Sequence, residues 1–498
     1  MFPFTIDILI ILLYTSCKRL RKRLLIKPKS IWAIIDNPER RKIMFKKRLF
    51  GSVSLLLILI FTASCAGVAE TQTPENIQPG LQPTVISTPA PPEMEKTKIT
   101  MWLFPVAGAD DNAFYQPVIE EYTKAHPNID IEIQWIPGEK RMELYLTAIT
   151  GGSSPDVFLM NSDTFATFAD SNALLNLSEY WDQNELADFY ENVIKDSSWK
   201  GALYMIPTDV SSTPIIYNKD MFIAAGLDPE KPPTTWDEFL SDCEVLTIDD
   251  KGHHFGEPDF NSEKVIQWCT STPLATSFLA FKWNPWYFQA GGEYFNEDGT
   301  KVLFDSQAGL DAMNMVLKLA DNFMPPSDKS AQYGADIDNF AQKRVAMIPC
   351  IENYVAGIYS SENPDLNFGV GPVLKYKVQA SHGAATGYSI SATTKNPEAV
   401  ADWLKFLTSS ETLAKYSLYV GSPPSRASTA KAIADQVPPW LAFGMEQVKY
   451  SRSVAHPKIE VIWEIMAKEE EAVVMHLKTP EQALKDATEA INAALASD

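Results

Sequence analysis

Residues 201–239 read GALYMIPTDVSSTPIIYNKDMFIAAGLDPEKPPTTWDEF, and this stretch says more about the fold than any other part of the chain. It contains, in order, a Tyr-x-Ile-Pro turn, a Tyr-Asn-Lys-Asp motif, a Gly-Leu pair and a Pro-x-Thr-Trp-x-Glu motif. These motifs consist of Tyr204, Ile206, Pro207, Tyr217, Asn218, Lys219, Asp220, Gly226, Leu227, Pro233, Thr235, Trp236 and Glu238. We interpret Tyr217 and Trp236 as structural residues.

Upstream of this stretch, strand and helix patterns alternate. The segment ITMWLF predicts a strand, and the helical spacing of Phe114, Val118 and Tyr122 predicts a helix. IDIEIQW alternates apolar and polar residues as a half-buried strand does. A helix over about 140–150 should end at the following glycine pair, and PDVFLM predicts the next strand. This order is typical of a parallel α/β sheet covered by helices.

Further motifs extend along most of the chain. They are GGSSPDVFLMNSD, AGGEYFNEDG, FAQKRVAM, GYSISATTKNPEAVADWLKFLTS, GSPPSR and the C-terminal ALKDATEAI. By their number, order and spacing, from about Ile99 onward, the chain resembles the family 1 extracellular solute-binding proteins. These are the sugar-binding lipoproteins and periplasmic proteins that serve ABC importers.

The resemblance implies an α/β, two-lobed periplasmic-binding-protein fold (type II, cluster D-like, similar to maltose-binding protein). The first lobe would comprise residues 98–212 and 384–420, and the second 213–383 and 421–498. The segments that cross between the lobes would act as a hinge, and a ligand would close the lobes over itself.

A sugar site needs aromatic planes for the apolar ring faces and polar groups for the hydroxyls. Candidates lie in loops after predicted strands or in segments that match ligand-facing ones of the family. They are Trp102, Asp110, Asp111, Asn161, Asp163, Asp209, Ser211, Trp283, Trp286, Glu352, Asn353, Tyr354, Thr386, Gly387, Arg426 and Trp463.

Each candidate type has a structural alternative. Tryptophans in a large α/β protein commonly fill the core, and Asp110 or Asp111 could cap a helix. The adjacent His253 and His254 are interpreted as a solvated turn. One disulfide could form among Cys243, Cys269 and Cys350, but the sequence does not pair them.

The N-terminal region predicts export. Residues 44–64 have a basic patch, a short apolar run and small residues before Cys65, so they resemble a lipoprotein signal with Cys65 as the lipidated residue, although Thr62 replaces the usual Leu. Residues 65–97 would form a Pro/Thr-rich tether. Residues 1–43 look like a mis-called start, or alternatively a cytoplasmic extension.

The net charge and the missing motifs argue against several classes of function. The chain has 498 residues, 43 Lys+Arg and 63 Asp+Glu. The net charge of −20, which becomes −30 for residues 65–498, argues against nucleic-acid binding. No phosphate-loop, GxSxG or HExxH motif is present, so any ATPase would be a separate chain. The resemblance to binding proteins implies that the chain is no enzyme, and we expect no cofactor or metal.

These observations predict a monomeric carbohydrate receptor anchored outside the cytoplasmic membrane that delivers its ligand to a permease. Three alternatives stay open. The same fold could bind a polyamine or a glycerophosphodiester, the chain could be a surface glycoside hydrolase, or it could serve a signalling kinase. The identity and length of the sugar and the affinity are not predicted.

Overall fold

A computed structural model describes residues 96–106, 112–275, 282–297, 299–332, 334–349 and 354–497. All of these residues belong to one compact unit, Pro91–Asp498. Several predictions lie outside the described residues. They concern the signal, Cys65, the tether as far as residue 95, and Asp110, Asp111, Cys350, Glu352 and Asn353.

The first sheet has the strand order β2-β1-β3-β13-β6. Its strands are β1 (Thr97–Leu103), β2 (Ile129–Trp135), β3 (Val157–Asn161), β6 (Ile206–Val210) and β13 (Ala385–Ile390). The predicted parallel pairing holds for β1 with β2 and with β3. However, β13 pairs antiparallel with both β3 and β6, so the sheet is mixed. β13 lies between β3 and β6, although it comes after both in the chain.

The second sheet has the order β11-β7-β10-β9-β8. Its strands are β7 (Ile215–Asn218), β8 (Ile248–Asp249), β9 (Val265–Thr270), β10 (Val345–Ile348) and β11 (Phe368–Gly371). The remaining strands form two small two-stranded sheets. One pairs β4 (Ser198–Trp199) with β5 (Ala202–Leu203), and the other pairs β12 (Ser381–His382) with β14 (Ser451–Arg452).

Helices connect and flank the strands. They are α1 (Asn112–Ala125), α2 (Arg141–Thr150), α3 (Phe165–Asp170), α4 (Gln183–Leu186), α5 (Glu191–Asp196), α6 (Lys219–Ala224), α7 (Trp236–Leu246), α8 (Asn284–Gln289), α9 (Gln307–Asn322), α10 (Ala335–Ala341), α11 (Tyr354–Glu362), α12 (Pro397–Leu407), α13 (Ser410–Val420), α14 (Ala427–Ile433), α15 (Pro439–Gln447), α16 (Ile459–Val474) and α17 (Pro480–Ala496).

The motifs of residues 201–239 have local physical causes. Asn218 caps α6 by accepting a hydrogen bond from the Met221 N–H. Thr235 and Glu238 form a capping box at the start of α7, in which each side chain bonds the backbone N–H of the other. Trp236 is buried, and its indole N–H donates to Gln289 at 2.6 Å. The structural interpretation of Trp236 is therefore confirmed.

Each sheet has its own hydrophobic core. The predicted apolar face of α1 packs against the first sheet, and so does the apolar face of α12. Helices α16 and α17 pack with α9 in the second core. Val448 joins the first core, although the sequence placed residues 421–498 in the second lobe. We use first lobe and second lobe below for the two sheets with their cores.

A disulfide joins Cys243 on α7 to Cys269 on β9. The sequence left the pairing open, and the structure resolves it. The bond closes a loop with a sequence separation of 26. Such a loop restricts the unfolded chain, which stabilises the folded second lobe by about 3 kcal/mol.

Candidate functional site

Three segments connect the two sheets: residues 211–214 between β6 and β7, residues 372–384 between β11 and β13, and residues 421–458 between α13 and α16. We call these the hinge segments. Within them, β12 and β14 pair with each other, so the second and third segments are joined by backbone hydrogen bonds.

Further hydrogen bonds tie the first hinge segment to the other two. The Ser211 N–H donates to the carbonyl of Ala384 at 3.0 Å. The Thr213 hydroxyl donates to the carbonyl of His382 at 2.7 Å, and the Ser451 hydroxyl donates to the carbonyl of Ser211 at 3.0 Å. The three segments therefore form one hydrogen-bonded layer between the lobes.

Predicted ligand contacts gather at this layer. Asn161 ends β3, and its amide lies 3.4 Å from the hydroxyl of Thr386 on β13. Ser211 lies in the first hinge segment, where its hydroxyl donates to Ala384 at 3.1 Å. The structure thus brings together side chains from the carboxyl end of β3, from β13 and from the first crossing.

Asp163 follows β3 and has the most extensive polar contacts of this group. Its Oδ1 accepts hydrogen bonds from the Ser453 hydroxyl at 2.8 Å and from the Val454 N–H at 3.4 Å. Its Oδ2 lies 3.5 Å from the Nε2 of His382. Burial would raise the pKa of Asp163, but His382 and the hydrogen bonds from Ser453 and Val454 outweigh it and lower the pKa. The carboxylate is therefore held ionised beside the hinge.

Asp209 lies on β6 and is also buried. It accepts hydrogen bonds from the hydroxyls of Thr208 at 2.7 Å and Ser422 at 2.9 Å. Burial raises the pKa of Asp209 to about 6, and the two hydroxyls oppose that rise. Because Ser422 begins the third hinge segment, Asp209 anchors that segment to the first sheet.

Gly387 lies on β13 at the register shift opposite β6. A Cβ atom at this position would come within 2.5 Å of the carbonyl oxygen of Ile206. The glycine thus permits close approach of two strands, and this packing accounts for its presence.

The predicted aromatic residues differ in their exposure. Trp102 on β1 is partly buried against the first core. Trp463 on α16 is 6% exposed and packs in the second core. Trp283 and Trp286 are buried in the second core, where Trp283 stacks on Tyr287 with ring centroids 4.4 Å apart. Neither Trp283 nor Trp286 presents a ring face for stacking, since the interior of the second lobe covers both.

Arg426 is held by the first lobe. Its Nη1 lies 3.2 Å from Asp188 and its Nε donates to the carbonyl of Thr408 at 2.8 Å. The guanidinium also lies 3.8 Å above the ring of Phe189. These contacts give Arg426 a structural role in the first lobe.

The predicted ligand contact Tyr354 is the first residue of α11.

Sequence reasoning missed His382, Ser453 and Asp196. All three contact Asp163 or its partners, but none belongs to a motif that the sequence displays. They become recognisable only once the hinge segments are placed next to β3, so no local signal could have identified them.

A separate groove of about 1120 Å³ lies beside the edge strand β11. Trp440, Phe443 and Pro232 contribute to its lining. No predicted ligand contact lines this groove, so it is distinct from the polar cluster at the hinge.

Residues 107–414 match the family model of the bacterial extracellular solute-binding proteins. The chain belongs to this family. Its members are binding proteins, and the chain is a binding protein rather than an enzyme.

Within the described residues, no helix is long and apolar enough to span a membrane. In the same part of the chain, no cluster of three or more His, Cys, Asp or Glu side chains could hold a metal ion.

Individual relatives are similar over most of the folded region. A binding protein of Brucella abortus is 23% identical over 65% of this chain and 76% of its own length. The maltotriose-binding protein of Pyrococcus abyssi is 25% identical over 62% of this chain and 63% of its own. The structure of a cyclic α-maltosyl-1,6-maltose binding protein from Arthrobacter globiformis superposes with a TM-score of 0.67, at 20% identity, and covers 80% of this chain and 99% of that one. The two-lobed α/β fold expected from the sequence is confirmed.

Proposed function

We propose that this protein is the substrate-binding component of an ABC importer and that it captures a carbohydrate between its two lobes. Membership of the extracellular solute-binding family supports the importer role. The maltotriose-binding relative and the neighbour that binds a cyclic maltosyl-maltose support a carbohydrate as the ligand. Small-molecule sites commonly lie between domains, which is where the polar cluster at the hinge lies.

The cluster around Asp163 is the observation that carries this proposal. An ionised carboxylate accepts hydrogen bonds from sugar hydroxyls more strongly than a neutral group does. Asn161, Thr386 and Ser211 add amide and hydroxyl groups at the end of β3, on β13 and in the first hinge segment. We assign these four residues to the first-lobe part of the site.

Aromatic stacking would come from Trp102 on the first lobe. Trp463 on the second lobe is 6% exposed and belongs to the second core, so it could stack on a sugar only after hinge opening exposes its ring. Trp102 is partly exposed, so a ring face could receive a sugar without repacking. Trp463 belongs to α16, the helix that follows the third hinge segment, and opening of the hinge would move it relative to the first lobe. Trp283 and Trp286 are not part of the proposed site, because both are core residues.

The mechanism follows from the hinge. Ligand that contacts both lobes stabilises the closed arrangement over the open one, because only the closed arrangement provides both sets of contacts. The closed form would dock on the membrane permease, and opening would release the carbohydrate. A monomer is sufficient for this cycle.

A thermal-shift screen tests the ligand class. Maltotriose or another oligosaccharide should raise the melting temperature, because a ligand that binds only the folded state stabilises it by about 2.7 kcal/mol at 100 times its Kd. Spermidine and glycerophosphocholine serve as comparison ligands. A shift with either of these and none with any sugar would refute the carbohydrate proposal. Release of smaller sugars during incubation would instead indicate a hydrolase.

We further propose that Cys65 carries the lipid that anchors the protein outside the cytoplasmic membrane, with residues 66–96 as the tether, since β1 begins at Thr97. Replacing Cys65 by Ala should remove incorporation of labelled palmitate and move the exported protein from the membrane fraction to the soluble fraction. Replacing Cys350 by Ala is the matched control, because this cysteine belongs to the exported part of the chain, and it should change neither. Membrane retention of the Cys65→Ala protein without label would mean that another segment anchors it.

A further inference from the structure

Asp196 lies at the C-terminal end of α5, next to the hinge layer, and no motif or predicted role includes it. Its Oδ2 accepts a hydrogen bond from the backbone N–H of Ser453 at 2.8 Å. The hydroxyl of the same serine donates to Asp163 at 2.8 Å. Ser453 therefore joins two carboxylates, one through its backbone and one through its side chain.

Two further contacts fix this arrangement. The Ser162 hydroxyl donates to the Ser453 hydroxyl at 2.8 Å, which leaves the Ser453 proton directed at Asp163. On the opposite side of Asp163, His382 lies 3.5 Å from Oδ2. The position of the Asp163 carboxylate thus depends on Ser453, and that of Ser453 depends on Asp196.

The charged groups that face Asp196 come from three elements. They are Asp163 after β3, Lys195 on α5 and Arg452 on β14. Burial raises the pKa of Asp196 to about 7; Asp163 adds to the rise, while the Ser453 N–H, Lys195 and Arg452 oppose it. Asp196 stays partly exposed, so its proton can exchange with solvent in the folded protein.

We propose that Asp196 is a positioning residue for the ligand site, which sets the Asp163 carboxylate through Ser453 and makes ligand affinity depend on pH. The ligand half of this inference rests on the proposed function, because it takes Asp163 to be a ligand contact. The positioning half rests only on the contacts among Asp196, Ser453 and Asp163.

The direction of the pH effect follows from the two carboxylates. A ligand that covers Asp163 removes water from the cluster and disfavours a second charge at Asp196. Binding therefore takes up a proton, and affinity falls as the pH rises through about 7. Each unit by which binding raises the pKa of Asp196 corresponds to a tenfold change in affinity. We expect a fall of about threefold to tenfold between pH 6 and pH 8.5.

A ligand-free experiment tests the positioning half. In proton–nitrogen NMR spectra, the backbone amide signals of Ser453 and Val454, whose N–H groups donate to Asp196 and Asp163, should both show an inflection near pH 7 that reports ionisation of Asp196. The inflection should persist in His382→Gln, which has no imidazole to titrate. Asp196→Asn should abolish that inflection while the amide oxygen still accepts from Ser453. Asp242→Asn is the matched control, since burial also raises the pKa of Asp242, to about 6, on α7 of the second lobe. An unchanged inflection in Asp196→Asn would overturn the proposal.

Calorimetry with maltotriose, or with the sugar that scores best in the screen, tests the ligand half. The Asp196→Asn protein should bind at pH 8.5 as tightly as at pH 6, and Asp242→Asn should keep the wild-type pH profile. Asp196→Ala should lose about fivefold in affinity at both values, because one hydrogen bond to Ser453 is gone. An unchanged pH profile in Asp196→Asn would overturn the coupling. Binding of no sugar at any pH would refute the proposed function, and the amide titration of Ser453 and Val454 would still decide the positioning role.

Discussion

Replacing Asp163 by Ala is expected to weaken carbohydrate binding about a hundredfold. Asp163 is 3% exposed and is held ionised by His382, Ser453 and Val454. Hydrogen bonds to a charged acceptor are worth about 1.5–3 kcal/mol each, and about 2.8 kcal/mol corresponds to a hundredfold change in Kd. Two sugar hydroxyls on this carboxylate would account for the whole effect.

Isothermal titration calorimetry at pH 6 measures the loss. Asp163→Asn is the conservative variant, which keeps the shape and one acceptor and should lose only about tenfold. Asp242→Asn should bind as wild type does. Thermal unfolding of each variant without ligand separates a binding defect from a folding defect. If Asp163→Asn folds and binds the sugar with unchanged affinity, the ligand site does not include Asp163.

The sequence predicted those parts of the fold that depend on local interactions. The Asn218 cap and the Thr235–Glu238 capping box involve residues three positions apart, so their pattern is visible in the chain itself. The helical stripe of α12 and the alternation of β2 are likewise local patterns. These local patterns predicted an α/β layout, and the two-lobed fold was predicted from the resemblance to the solute-binding family.

The sequence did not predict interactions between distant segments. Asp163 and Ser453 are separated by 290 positions, and His382 reaches the same carboxylate from a third segment. The antiparallel insertion of β13 is non-local too, because it depends on where the chain returns from the second lobe. The Cys243–Cys269 disulfide could not be predicted for the same reason.

The exposure of the tryptophan side chains could not be predicted from residue type alone. Trp283 and Trp286 have the chemistry of stacking residues, and the sequence cannot tell a ring in a binding site from a ring in a core. In the structure both lie with Tyr287 and Trp236 inside the second lobe. Trp102 is partly buried and Trp463 is 6% exposed, and the ligand role of these two residues stays a prediction.

Replacing Gly383 by Ala should destabilise the protein by about 3 kcal/mol, because the hinge layer has no space for a methyl group. Gly383 lies in the second hinge segment, and its N–H donates to the carbonyl of Arg452 at 3.0 Å. An added Cβ would come within 2.6 Å of the Ser451 side chain and even closer to the carbonyl oxygen of Ser211. The clash therefore involves all three hinge segments, and the backbone itself would have to move.

Urea denaturation of the ligand-free protein measures this effect. Gly138→Ala is the matched control, since a Cβ there would meet nothing closer than Phe104 at 3.9 Å. That control should change stability by less than about 0.5 kcal/mol. Gly383→Ala should also weaken sugar binding, because separating Ser211 from Ser451 displaces Ser453 and, with it, Asp163. A Gly383→Ala protein with the stability and affinity of the wild type would show that the three segments do not act as one layer, and the hinge mechanism would then be wrong.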